Sequence, residues 1–206
     1  AVGMVADFSF IYPLFLEEFY SYTGDLDFIK EKLYVADGIF EYYSRFENED
    51  CLLDNIKYVE HIPCENYDAI LIDWPGNKRD GYDFKKAKEG VSTTVNGYYY
   101  GFLKSTAKLY TLAGDEEKSR FYSQKAQKVG ESINAKCYNK QTGLYLDTLD
   151  SEHSALHASI IQGFHGLIPP NGFAPIVEQI KEKRLCCGVY FAFYVIGLLY
   201  RIGEYD

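Results

Sequence analysis

The sequence predicts an all-α protein in which helical hairpins stand side by side as an arc of an α/α toroid, with short β segments in the loops. Three observations predict it. Apolar residues recur at three- and four-residue steps through long segments. These segments come in pairs whose first member is rich in aromatic and small residues and whose second is charged along one side. A Gly-acid turn also returns at Gly24-Asp25, Gly114-Asp115 and Gly203-Glu204, at spacings of 90 and 89 residues.

The elements follow in order. Phe8 to Tyr22 reads as a helix capped by Ser9, with Pro13 tolerated in its first turn and Leu16, Phe19 and Tyr20 on one face. After Gly24, Asp25 or Asp27 caps a second helix in which Ile29, Leu33, Ala36, Phe40 and Tyr43 form the apolar stripe. Residues 51–54 and Ala69 to Asp73 read as extended runs within a long connection that reaches Gly90. The plan then repeats. A buried helix from Ser92 to Leu112 is followed by a polar helix from Glu116 to Lys136, with Phe121, Val129 and Ile133 inward, and by the extended run Gly143 to Asp147. A third hairpin joins Glu152–Leu167 to Gly172–Lys183 through Pro169-Pro170, and an apolar helix from Gly188 to Ile202 closes the series. Seven helices of this kind make part of a toroid, since six hairpins need twelve. Residues 1–206 therefore read as one domain forming a partial barrel.

Composition narrows the function. Lys and Arg number 21 against 30 Asp and Glu, a formal charge of −9, which argues against nucleic acid and anionic membranes as partners. The apolar, uncharged run Leu185 to Tyr200 is shorter than the roughly 20 residues needed to span a bilayer. Five scattered cysteines, two of them the adjacent Cys186 and Cys187, make a poor disulfide framework, so reduced thiols and a cytoplasmic setting are expected. The aromatic share of 17%, mostly Tyr and Phe, fits either a bulky helical core or a cleft lined with rings.

Inner helices of a toroid start at one rim, so the loops entering them should line a shared basin. Those loops contain Asp7, residues 70–90, Ser151 to His153, and Cys186 to Tyr190. The longest carries Leu71-Ile72-Asp73-Trp74-Pro75-Gly76 and then Arg79-Asp80-Gly81-Tyr82-Asp83. A strand ending in Asp-Trp-Pro would deliver a carboxylate and a flat ring at a rigid turn, a combination that grips sugar hydroxyls and stacks on C–H faces. The competing reading is an ion pair from Arg79 to Asp80 or Asp83 that braces a surface loop, with Trp74 as its plug.

At these residues the chain resembles a known family. Ile72-Asp73-Trp74-Pro75 with Arg79-Asp80-Gly81-Tyr82, the earlier Asp7-Phe8-Ser9 and Tyr22-Thr23-Gly24-Asp25, and the later Ser151 to Ala158, Gly166 to Pro169 and Val189 to Ala192 look like the catalytic domain of bacterial α-L-rhamnosidases, the six-hairpin glycosidase type. The resemblance implies an (α/α)6 barrel and inverting hydrolysis of terminal α-L-rhamnosides by two carboxyls, with carbohydrate as partner and no cofactor. It also implies that the family's acid motif, an acidic stretch with Arg and Trp, and its base Glu lie outside these 206 residues. The chain would then be a central fragment that supplies the substrate wall and is inactive alone. On that reading Asp73 and Trp74 match the sugar-contacting pair, Asp7 faces the basin, Arg79 and Asp80 support them, and His153 and Tyr190 join the wall.

Other features carry less. His153 and His157 stand at zinc-ligand spacing but lack the intervening Glu, so His153 is expected to donate to a hydroxyl while His157 packs in the wall. Cys186 and Cys187 are expected to be inert. Tyr98, Tyr99 and Tyr100 cover most of a helical turn, which suits packing better than a ladder of binding rings. A rival reading keeps the fold but makes the chain a non-catalytic helical module that binds sugar or protein, or associates with itself through open barrel edges. Another toroid enzyme, a sugar epimerase or an unsaturated-uronide hydrolase, would share the fold without these motifs.

Overall fold

Each Gly-acid turn has two structural tasks. Gly24, Gly114 and Gly203 all adopt φ between 67° and 83°, the left-handed conformation that ends an inner helix without a Cβ clash. The acid that follows the first two then starts the outer helix: Asp25 accepts from the Phe28 N–H at 2.9 Å and Asp115 from the Lys118 N–H at 3.0 Å.

The structure is a computed structural model that describes residues 5–57, 69–168 and 172–204. Its helices are α1 (Ala6–Ser9), α2 (Tyr12–Thr23), α3 (Leu26–Tyr43), α4 (Phe84–Glu89), α5 (Thr93–Ala113), α6 (Glu116–Lys136), α7 (Leu156–Phe164), α8 (Phe173–Lys183) and α9 (Val189–Ile202). Between α6 and α7, β1 (Tyr138–Asn139) pairs antiparallel with β2 (Leu144–Tyr145), placing Tyr138 opposite Tyr145. The Pro169-Pro170 turn and Cys64 lie outside the described residues.

Helices α2, α5, α7 and α9 pack in a row, and α3, α6 and α8 cover them from outside. This is the two-layered arc that the paired segments predict. Close approach within the inner row depends on small residues. A Cβ on Gly97 of α5 would lie 2.4 Å from Gln162 of α7, and one on Gly101 would lie 2.2 Å from the His165 ring. The Tyr98, Tyr99 and Phe102 side chains of α5 are buried, as is every residue of α7.

Several expectations change. The first helix breaks at Phe10–Ile11 because Pro13 has no N–H for the carbonyl of Ser9 and its ring crowds that carbonyl. Ser9 is consequently not a cap; its hydroxyl donates to the Val5 carbonyl at 3.2 Å and lies 3.1 Å from the Tyr43 hydroxyl. The run from Ala69 to Asp73 forms no strand, since Ile72 has φ 65° and the Asp73 N–H turns back to the Leu71 carbonyl. In α6 the inward ring is Tyr122, while Phe121 is exposed and meets Phe40 edge-on. Burial nearly all round holds for α5 and α7 but fails for α2 and α9. These stand at the two ends of the row and leave Phe15 and Tyr200 65% and 72% exposed.

Candidate functional site

Backbone donors at the rim of the inner helices are satisfied by side chains brought from distant loops. Helix α7 illustrates why. Its expected start at Glu152 is delayed to Leu156 because residues 151–155 are held in another conformation. The buried Asp147 carboxylate accepts from the Ala155 N–H at 2.7 Å, and Asp80, 76 residues away, accepts from the Leu156 N–H at 2.7 Å. Asp80 thus occupies the place of a missing local cap. Lys183 at 2.8 Å balances its charge.

Asp73 does the same for α9. Its Oδ2 accepts from the Gly188 N–H at 2.6 Å and pairs with His157 Nε2 at 2.8 Å, while Oδ1 accepts from the Trp74 N–H at 2.7 Å. Both Asp73 and His157 are fully buried. Asp7 is also fully buried and holds the preceding turn, accepting from Leu71 N–H at 2.7 Å and Ile72 N–H at 3.0 Å. Burial raises its pKa, and the two backbone donors together with the charge of Arg79 offset this only in part. Arg79 donates from Nε to the Asp73 carbonyl at 3.1 Å and lies 3.7 Å above the Phe84 ring. The Tyr82 hydroxyl completes the seam: it donates to the Asp147 carbonyl at 2.6 Å and accepts from the Thr94 N–H at the start of α5.

Two predicted residues remain open to solvent. Trp74 is 68% exposed, so it is not the plug of its loop. The His153 side chain is 43% exposed, with Nδ1 at 2.7 Å from Asp147 Oδ2. His153 and His157 therefore serve different carboxylates. Among the described residues no group of three or more His, Cys, Asp or Glu side chains could hold a metal. Tyr190 lies in the first turn of α9, its hydroxyl buried near those of Tyr98 and Tyr194, and burial pushes all three phenols up. Burial likewise raises the Cys187 thiol to about 11, against any reactive role. Cys51, Cys137, Cys186 and Cys187 are free.

A hidden carboxylate row, an exposed indole and an oriented imidazole thus share one rim. A family profile for the bacterial alpha-L-rhamnosidase 6 hairpin glycosidase domain matches residues 2–178. The chain belongs to this family. Among solved structures, the GH78 family rhamnosidase of Bacillus sp. GL1 matches with a TM-score of 0.79 and 18% identity over 97% of this chain and 20% of that one. At that identity the likeness is one of fold, and this chain spans about a fifth of that rhamnosidase's length. A comparison with curated proteins finds no match.

Within this six-hairpin glycosidase domain, sequence reasoning overlooked Asp147, Tyr82 and Gly188. Asp147 ends an extended run that was legible, but its three acceptor contacts come from residues 83, 153 and 155 and exist only after the loops meet. Gly188 carries a subtler signal. A Cβ there would lie 2.2 Å from the Trp74 carbonyl oxygen and 2.5 Å from Asp73 Oδ1, so a glycine just before an apolar helix marks a close backbone approach.

Proposed function

We propose that this chain supplies the sugar-binding wall of an α-L-rhamnosidase-type glycosidase, which in its complete form hydrolyses terminal α-L-rhamnosides with inversion, and that the chain has no turnover by itself. The observation that carries the reading is the Trp74 indole, left exposed on a loop whose backbone is clamped by Asp7, Asp73 and Arg79. A flat ring carried on a fixed backbone suits stacking on the apolar face of a deoxy-sugar. In this assignment Trp74, His153 and the Tyr190 edge face the sugar, while Asp7, Asp73, Arg79 and Asp80 hold the wall. The same contacts support the lack of turnover. An inverting site needs two carboxyls roughly 6.5–9.5 Å apart that are free to move protons, and Asp7, Asp73, Asp80 and Asp147 are each committed to backbone donors.

Trp74 is the only tryptophan, so its emission reports on the site alone. Titration with L-rhamnose should shift or quench that emission saturably, and the 206-residue chain should leave an aryl α-L-rhamnoside intact. Emission indifferent to L-rhamnose would remove the wall assignment, and steady hydrolysis by the chain would remove the claim of inactivity.

A cleft of about 590 Å³ between α2 and α9 is lined by Phe15, Tyr190, Phe193, Ile196 and Tyr200 among others, and neither Trp74 nor His153 lines it. Its apolar lining supports self-association through the open edges of the arc.

A further inference from the structure

We propose that Asp147 is a positioning residue for His153: it fixes the imidazole as the Nδ1–H tautomer, so that Nε2 stands at the rim as a hydrogen-bond acceptor for a hydroxyl of the bound sugar. The inference rests on the wall assignment above and adds a specific chemical role to it.

Asp147 is placed to accept hydrogen bonds from two loops. Its carboxylate is fully buried and already takes two backbone donors, Ala155 N–H on Oδ1 at 2.7 Å and Asp83 N–H on Oδ2 at 3.0 Å. A carboxylate offers acceptors only, and both oxygens here already take a backbone N–H, which casts the nitrogen 2.7 Å away on His153 as the donor. The single proton of a neutral imidazole is then on Nδ1, and the lone pair is on Nε2. The backbone is fixed in the same register. Asp147 N–H donates to the His153 carbonyl at 2.9 Å, and His153 N–H donates to Ser151 Oγ at 3.1 Å. The ring is thus held from both sides of its own residue.

The Nε2 edge of that ring borders Gly81, and the side chain is 43% exposed. A Cβ at this position would lie 3.4 Å from Nε2, in ordinary van der Waals contact, and the glycine, at φ 71°, has none. Asp83, two residues on, is one of the groups that fix the carboxylate. The segment that carries Arg79 and Asp80 therefore borders the ring and, through Asp83, helps to fix its carboxylate partner. The sequence reading had His153 donating to a hydroxyl; with Nδ1 committed to Asp147, the neutral ring accepts instead. Such an acceptor suits a polyol that must give up a hydroxyl proton in a hydrogen bond, and an exposed ring with no buried partner would have no fixed tautomer to offer.

The test is a long-range ¹H–¹⁵N spectrum of the labelled 206-residue chain at alkaline pH, with His153 assigned by the signals lost in His153→Gln. The expected result is an unprotonated Nε2 and a protonated Nδ1, with the Nε2 resonance moving when L-rhamnose is added. His153→Gln should weaken the L-rhamnose dependence of Trp74 emission about tenfold, the worth of one hydrogen bond. Asp147→Asn, if folded by circular dichroism, should convert His153 to a mixture of tautomers. An Nε2–H tautomer in the unaltered chain overturns the proposal without reference to any variant. Trp74 emission that responds to L-rhamnose while the His153 resonances stay still overturns this role and leaves the wall assignment standing. Silence from both probes removes the two together.

Discussion

Asp73 Oδ2 accepts the Gly188 N–H at 2.6 Å across 115 residues of sequence, and this one contact ties the loop bearing Trp74 to the start of the last inner helix. The same oxygen meets His157 Nε2, so a single buried atom joins the Trp74 loop to α7 and α9. Removing the carboxylate charge while keeping its shape, as in Asp73→Asn, turns an acceptor into an NH₂ group that faces backbone or imidazole donors. The expected loss is about 1–3 kcal/mol of stability, with one buried donor left unpaired. Urea unfolding followed by Trp74 emission measures it, and a stability equal to the parent's would show that the three contacts carry no net weight.

Gly188→Ala probes the same junction sterically. Its Cβ would press on the Trp74 carbonyl oxygen at 2.2 Å, and backbone cannot rotate away as a side chain can. A destabilisation of about 1–3 kcal/mol is expected, accompanied by altered Trp74 emission in the native state. The companion variant Gly38→Ala, at a helical position with nothing within 4 Å, should be neutral or slightly stabilising.

Asp37 is a second fastening, on the outer layer. It accepts from Lys118 Nζ at 2.6 Å and from the Tyr110 and Tyr122 hydroxyls at 2.7 Å each, drawing α3, α5 and α6 together. Burial works against its ionisation, but these three donors outweigh it and hold the carboxyl below its usual range. Tyr122→Phe keeps the ring and should cost about 1 kcal/mol. In an Asp37→Ala background the same change should cost much less, which a double-mutant cycle would read.

His165 should impose a pH dependence. Burial, then the nearby Lys104 and Arg201, lower its pKa from 6.5 to about 3, so the fold favours the neutral ring. Its contribution is complete above about pH 6.5 and is lost as the pH falls towards 3, because the unfolded chain takes up a proton that the folded chain refuses. The limiting slope is about 1.4 kcal/mol per pH unit. Unfolding of His165→Gln between pH 6.5 and 4 should show a shallower decline than the parent; parallel curves would show that His165 titrates normally.

The apolar faces of α2 and α9 predict association. Sedimentation velocity at rising concentration should show a reversible shift to larger species, and Phe15→Lys with Tyr200→Lys should suppress it. A parent chain that stays monomeric across that range would mean that the exposed rings cost too little to drive pairing.

Much of the architecture is determined by the sequence alone because it follows from local rules. Periodicity placed α3, α5, α6 and α9 to within a few residues, and the Gly-acid turns marked where inner helices stop, since a left-handed glycine and an aspartate cap act over four residues. Asp73, Trp74, Arg79, Asp80 and His153 could likewise be singled out from residue type and spacing. What only the tertiary structure decided is which of them meet solvent. Asp7 and Asp73 are buried and Trp74 is not, because the N–H groups of Leu71, Ile72 and Gly188 must find acceptors when three loops close over one rim. The same demand delays α7 to Leu156 and recruits Asp147, whose donors lie up to 64 residues away in sequence. Local pattern encodes helices well; the assignment of buried polar partners is a property of the assembled rim.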